Sequence, residues 1–313
     1  MSQNYEFLDG LLECTEEDLL LFDECYSQRV PFTALWQDRD DRAKIVDWDS
    51  DYEKWLRHRS QLIEYEGPEK HMPWNLYESF GLKWMDGYNY AQSQGDCCSM
   101  GNKNSLKASN LSNMYRTGHP APEIAASMTY AIARGNGTPR FGNGLNLNPM
   151  SKWAAEVGNY LAADFGKYDG GRYVAKYKRG SGQDANALAH QSIVIYLPKC
   201  TFDFCYAACS AGIGINMGTT TYPTSAAING DGLAVPSSWR NGGHSMAWVF
   251  AMTVGSRRYL YLENSHGARY AADKYSGGKK QHGLWINETT FARIADTNFR
   301  YGRWYCNVGE LAK

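Results

Sequence analysis

The chain has 313 residues, of which 43% are hydrophobic and 21% are charged. Its 32 basic and 33 acidic side chains leave a formal net charge of −1. This composition excludes a disordered chain and argues against nucleic acid as a partner, because both need a stronger bias in composition or charge. The length is sufficient to bury a core without disulfides or structural metals.

The N-terminal part of the sequence is dense in charge. Residues 38–69 mix charged side chains with scattered tryptophans, a pattern typical of solvated helices with one narrow apolar stripe. Turn-forming residues cluster just before Pro73. We therefore expect a mainly helical extension over residues 1–72 and one large domain over residues 73–313. The extension should pack against the core or a partner chain through its tryptophans, notably Trp36, Trp48 and Trp55.

Targeting and cofactor signals are absent from the sequence. The first 26 residues lack a basic stretch followed by a long apolar run, and no window reaches the ~20 apolar residues that cross a bilayer. The eight cysteines are spaced too unevenly for a disulfide framework, and Cys200, Cys205 and Cys209 do not follow a zinc pattern. We expect no metal, no cofactor and no membrane contact, and a cytoplasmic or virion-associated protein in a reducing compartment.

The first half of the large domain is predicted to be helical. Residues 99–115 contain no proline and place apolar side chains at helical spacing, so a helix should begin at or near Cys97 and Cys98. Residues 153–165 show the same periodicity and predict a second helix. The glycines within residues 134–144 predict a loop that borders a cleft.

The second half of the domain is predicted to form strands. Residues 192–197, 245–254 and 258–263 are rich in apolar and aromatic side chains and are bounded by turn formers. The helical part should span about 73–190 and the antiparallel sheet part about 191–313. This order predicts an α+β fold with a ligand-binding cleft between the two parts.

Three segments contain the residue types that nucleophilic catalysis requires. A thiol at a helix N-terminus beside a histidine can ionise near neutral pH, so Cys98 is the candidate nucleophile. His244 would serve as its base, and the Asn264 amide would orient the imidazole. Gln92 would donate to the oxyanion together with a backbone N–H at Cys98.

The segments resemble those of the papain-like (C1-type) cysteine peptidases. In that family a glutamine precedes the nucleophile by six positions, as Gln92 precedes Cys98. A strand that ends in Asn-Ser-Trp-Gly is matched by Asn264 to Gly267, and the segment Gly283–Phe291 resembles the closing strand. The resemblance implies a papain-like fold and a hydrolase that cleaves a peptide or another amide through a thioester acyl-enzyme.

The cysteine segment departs from the family pattern. The family sequence Cys-Gly-Ser-Cys-Trp is absent, and Cys97 directly precedes Cys98, which keeps Cys97 open as the nucleophile. Gln94 is the alternative to Gln92 as the oxyanion donor. His266 replaces the tryptophan that in the family shields the contact between histidine and asparagine.

These departures leave a second function open. The chain could be a structural or assembly protein, for example a virion component, in which the papain-like scaffold has reduced or lost catalysis. Residues 1–72 would then dock onto an assembly partner. If the chain is instead an enzyme, the same segment could act as an inhibitory pro-segment.

Overall fold

The computed structural model describes most of the large domain. The described residues are 72–81, 91–92, 95–117, 120–135, 140, 142, 144–166, 168, 176–197, 201–210, 212–295 and 304–309. Apart from Met72, the predicted N-terminal extension with its three tryptophans lies outside these residues, and so does Gln94.

Helices and one antiparallel sheet form the described part of the chain. The helices are α1 (Pro73–Ser79), α2 (Cys97–Thr117), α3 (Ala126–Arg134), α4 (Leu147–Glu156), α5 (Ala162–Phe165), α6 (Gly182–Ala189), α7 (Phe202–Ser210) and α8 (Glu288–Ala295). The strands are β1 (Ser192–Leu197), β2 (Gly214–Ile228), β3 (Ala234–Val254), β4 (Arg257–Glu263), β5 (Gly283–Asn287) and β6 (Trp304–Gly309). The strand order is β1-β6-β2-β3-β4-β5, and all neighbours are antiparallel. The predicted combination of helices with an antiparallel sheet is confirmed.

The centre of the sheet is buried on both faces. Successive residues of a strand point to opposite faces, so the alternating large side chains of β3, β4 and β5 divide into two clusters. One cluster packs against α7 and α8 and contains Trp248, Leu260, Leu262, Leu284 and Ile286. The other packs against α1 and α2 and contains Ala247, Val249, Tyr259, Tyr261 and Trp285. The second part of β3 and the strands β4 and β5 are therefore rich in apolar residues instead of alternating apolar with polar.

The predicted helix over residues 153–165 is interrupted. α4 ends at Glu156, and α5 begins only at Ala162. Gly158 adopts a φ of +96° between them, and a Cβ at this position would overlap the carbonyl group of Ala187. The close approach of another segment thus determines where α4 stops, which periodicity along one segment cannot reveal.

Helix α2 crosses the interior of the domain. It packs on β2, β3 and β6, and its described side chains are buried, including the polar ones. Several of these polar groups interact with neighbouring elements: Lys107, for example, lies 3.5 Å from the carboxylate of Glu263. No helix within the described ranges is sufficiently long and apolar to cross a membrane.

Candidate active site

Helix α2 places a thiol against the sheet. Cys97 is its first residue and is completely buried. Burial alone would raise the pKa of the Cys97 thiol, but several contacts outweigh it and lower that pKa well below its usual value. The groups responsible are the Cys98 thiol, the imidazole of His244 with its charge, and the backbone of Ser245. These neighbours favour the ionised form of the Cys97 thiol.

Cys98 occupies a different environment from the one expected. Its thiol donates to the backbone carbonyl of Leu145, with 2.8 Å between sulfur and oxygen. Burial, the interaction with Cys97 and the charge of Asp96 raise the pKa of the Cys98 thiol. These contacts differ from those expected from the sequence: interactions with His244 act on Cys97, and Cys98 contacts Leu145. Adjacent side chains point in directions about 100° apart around a helix, so the two thiols at the start of α2 face different surroundings.

His244 and Asn264 are brought together by neighbouring strands. β3 and β4 pair Ala247 with Glu263, so His244 in β3 lies near the residues that directly follow β4. The Nε2 atom of His244 is 2.8 Å from Oδ1 of Asn264. Nδ1 is consequently the ring nitrogen that remains to face the thiol.

A β-bulge adjusts the position of His244. His244 pairs with Thr219 of β2, and the register shifts before the next pair, Thr221 with Asn241. Bulges bend a strand locally and change the direction of nearby side chains, and they often lie beside functional sites. Here the bulge directly follows the pair that holds the histidine.

Two rings contact the imidazole of His244. His266 stacks on it, with ring centroids 4.5 Å apart and an angle of 15° between the planes. The ring of Tyr222 also lies 4.5 Å away, tilted by 44°, and its centroid is 5.9 Å from that of His266. Burial and the charge of His244 lower the pKa of His266 well below its usual value, so this second imidazole is neutral. His266 thus packs on the His244 ring, as expected from the sequence.

Gln92 is attached to the same segment as Asn264. Its backbone N–H donates to the carbonyl of Ser265 at 2.7 Å, and its side-chain oxygen accepts a hydrogen bond from the Ser265 hydroxyl. The carboxamide oxygen is thereby occupied, which directs the NH₂ group elsewhere. Gln92 precedes Cys97 by five positions, one fewer than its separation from Cys98.

A glycine allows α2 to approach β3 closely. A Cβ at Gly101 would overlap the side-chain oxygen of Asn216 and lie 2.6 Å from Oγ of Ser245. These two side chains are hydrogen-bonded to each other at 2.8 Å, and Asn216 also donates to the carbonyl of Cys98 at 3.4 Å. The polar link fixes the start of α2 against the strand that carries His244.

Sequence reasoning did not identify every residue of the site. Tyr222 lies in a part of β2 that was not predicted as a strand, and no local signal connects it to His244. Tyr270, whose hydroxyl accepts a hydrogen bond from Asn264, follows that residue by six positions and carries no recognisable motif. Within the described ranges, no group of three or more His, Cys, Asp or Glu side chains could hold a metal ion.

Comparison with known proteins gives a result at the level of the fold. No protein-family model matches the chain, and no curated protein sequence matches it significantly. Among solved structures, xylellain, a cysteine protease from Xylella fastidiosa, matches with a TM-score of 0.50 and 12% identity, over 71% of this chain and 82% of its own. Procathepsin B S9 from Trypanosoma congolense matches with a TM-score of 0.43 and 10% identity, over 71% and 72% of the two chains. The likeness to xylellain shows that the chain has the fold of papain-like cysteine proteases.

Proposed function

We propose that the protein is a cysteine hydrolase that cleaves a peptide or another amide bond, with Cys97 as its nucleophile. The observation that carries the proposal is the 2.8 Å hydrogen bond between His244 and Asn264, beside a helix-start thiol, Cys97, whose pKa the charge of His244 helps to lower. A thiolate and imidazolium pair oriented by an amide is the arrangement that activates a cysteine for acyl transfer. Fold alone would not support this function, because scaffolds persist when activities change.

In the proposed first half-reaction, the Cys97 thiolate attacks the carbonyl carbon of the scissile amide. A bond forms between sulfur and carbon, and the carbonyl oxygen takes the negative charge. The imidazolium of His244 then gives its proton to the departing amine as the bond between carbon and nitrogen breaks. The product is a thioester on Cys97 and a free amine.

The second half-reaction releases the acid. Neutral His244 removes a proton from water, the water oxygen attacks the thioester carbon, and the bond between sulfur and carbon breaks. The acid leaves, and the pair of Cys97 thiolate and His244 imidazolium is restored. In both halves the Gln92 NH₂ group and the backbone N–H of Cys97 are the proposed donors to the oxyanion.

Alkylation by iodoacetamide at mildly acidic pH tests the assignment, because only an activated thiol reacts rapidly there. We expect rapid modification of Cys97, located by peptide mapping, and slow modification of Cys98, Cys205 and Cys209, which are buried as Cys97 is. Cys97→Ala should remove the rapid phase. Cys98→Ala should retain it.

Two outcomes would contradict the proposal. Rapid labelling of Cys98, lost in Cys98→Ala, would return the nucleophile to the position first expected from the sequence. A folded chain in which no thiol reacts faster than Cys205 would exclude an activated cysteine and favour a scaffold without catalysis.

A further inference from the structure

The side-chain amide of Asn264 is held at both ends. Its Oδ1 lies 2.8 Å from Nε2 of His244 and accepts the backbone N–H of Ser265 at 2.7 Å. At the other end, Nδ2 donates to the hydroxyl of Tyr270 at 2.8 Å. That hydroxyl in turn donates to the backbone carbonyl of Pro223 at 3.0 Å. Both Asn264 and Tyr270 are 1% exposed.

The direction of this chain follows from hydrogen-bond chemistry. A backbone carbonyl can only accept, so the single hydroxyl hydrogen of Tyr270 is committed to Pro223. The hydroxyl oxygen then presents lone pairs to Asn264, and only the NH₂ end of the amide can satisfy them. The oxygen end is left for His244. Burial raises the pKa of Tyr270 to about 12, so the hydroxyl keeps its hydrogen throughout the neutral range.

We propose that Tyr270 is a positioning residue that determines which end of the Asn264 amide faces His244. Through that amide it stabilises the imidazolium that keeps Cys97 as a thiolate. The inference rests on the roles proposed above for Cys97, His244 and Asn264, and it adds a residue from the segment between β4 and β5.

The expected effect of losing the hydroxyl follows from the charge on His244. An imidazolium needs an acceptor at Nε2, and Oδ1 of Asn264 provides it. Without the Tyr270 oxygen, the Asn264 NH₂ group has no acceptor there, and rotation of the amide would bring two donors together at Nε2. Either change disfavours the charged ring in a site that excludes water. The thiol of Cys97 would then lose protons only at higher pH.

The test measures the rate of iodoacetamide reaction at Cys97 across pH, in wild type and in Tyr270→Phe. We expect the midpoint of the profile to rise by about 0.5 to 1 pH unit, with a roughly 3- to 10-fold slower reaction on the acidic side. Tyr259→Phe is the matched control. Tyr259 is equally buried, and its hydroxyl donates to Asp231 at 2.5 Å and accepts from Asn229 at 3.2 Å, away from the site. The control should be destabilised similarly with an unchanged profile.

A double-mutant comparison separates the effect of Tyr270 on the Asn264 amide from a general loss of packing around the site. In an Asn264→Ala background, Tyr270→Phe should produce no further shift, because the amide through which Tyr270 acts is gone. All profiles are recorded at a temperature at which circular dichroism shows each variant to be folded.

The outcomes distinguish this inference from the proposed function. An acid-shifted wild-type profile that Tyr270→Phe leaves unchanged overturns the role of Tyr270 alone, and so does an equal shift in the Asn264→Ala background. A wild-type profile without an acid-shifted thiol overturns the proposed function and the inference together.

Discussion

The imidazole of His266 stacks on the ring of His244 and carries no charge itself. A histidine here is smaller than the tryptophan of the resembled family, yet it lies nearly parallel to His244. Because burial and the nearby charge of His244 keep it neutral, the stack adds no second positive charge next to the imidazolium. Its contribution should therefore be exclusion of water from the hydrogen bond between His244 and Asn264.

His266→Ala should admit water to that hydrogen bond and weaken it. We expect the alkylation midpoint of Cys97 to rise by roughly 0.5 pH unit. His266→Phe keeps a ring in the stack and should leave the midpoint close to that of wild type. Alkylation rates measured across pH for both variants test this. Equal shifts in the two variants would instead mean that the imidazole acts through its nitrogens.

At this scale the contact between His244 and Asn264 could be proposed from the sequence. It followed from the resemblance of the two segments that carry these residues, each of which stands at one end of a predicted strand. The choice between Cys97 and Cys98 depends on the first residue of α2, and no local pattern fixes a helix start to a single residue. The hydroxyl of Tyr270 was not predictable, because its partners join three separate segments.

At the scale of elements, the site depends on the distance between α2 and β3. Gly101 lies one turn after Cys97 and faces Asn216 and Ser245 with no room for a Cβ. The glycine therefore sets how closely the helix start approaches the strand that carries His244.

Gly101→Ala should push α2 away from the sheet. We expect a loss of about 1–3 kcal/mol in the free energy of unfolding, typical of overpacking, and slower alkylation of Cys97 at mildly acidic pH. Urea unfolding and alkylation rates measure the two effects. Gly182→Ala in α6 is the control, because a Cβ there meets nothing within 4 Å. It should leave alkylation unchanged and should not destabilise the chain. A Gly101→Ala variant as stable and reactive as wild type would refute the steric argument.

Helices and strands were predictable from the sequence where the pattern of apolar and turn-forming residues within a single segment determines the element. The strands β1 and β4 were found nearly in full because their apolar runs are bounded by turn residues. β3 begins at Ala234, well before the predicted residue 245, because its first part pairs with β2 in an extended hairpin instead of filling the core. The break between α4 and α5 depends on contact with Ala187, which lies far along the chain.

At the scale of the whole molecule, a buried group of charges links α2 to the sheet and to the segment before α3. Lys107 pairs with Glu263, and Lys103 lies within the influence of the same carboxylate and of Glu123. Burial and, to a lesser degree, the charge of Lys107 lower the pKa of Lys103 to about 7. Folding thus holds a lysine in an environment that opposes its charge.

The stability of the protein should depend on pH through this lysine. In the unfolded chain the amine titrates near ~10.4, so between about pH 7 and that value only the unfolded state keeps the proton. The free-energy cost of holding a charged Lys103 in the folded state is fully present below pH 7, and the free energy of unfolding of the wild type rises with pH through this window. Lys103→Met removes that cost, so the stability advantage of this variant over the wild type should shrink by up to roughly 1.4 kcal/mol per pH unit above pH 7.

Urea unfolding between about pH 6 and 9 measures this difference, compared at each pH to cancel other titrations. The exposed Lys178 provides the control: the difference between Lys178→Met and wild type should stay constant with pH. An advantage of Lys103→Met that is independent of pH would mean that Lys103 keeps its proton in the folded state across the range.

The insertion of β6 between β1 and β2 has a consequence for synthesis on the ribosome. Among the described strands, β1 borders β6 alone, and more than a hundred residues separate Leu197 from Trp304. At ~5–20 residues per second, β1 therefore waits on the order of 5–20 s before its partner is translated. During that interval β1 and the adjoining end of β2 expose unpaired backbone groups that can pair with another nascent chain. Translation that stalls before residue 304 would leave the place of β6 between β1 and β2 unfilled.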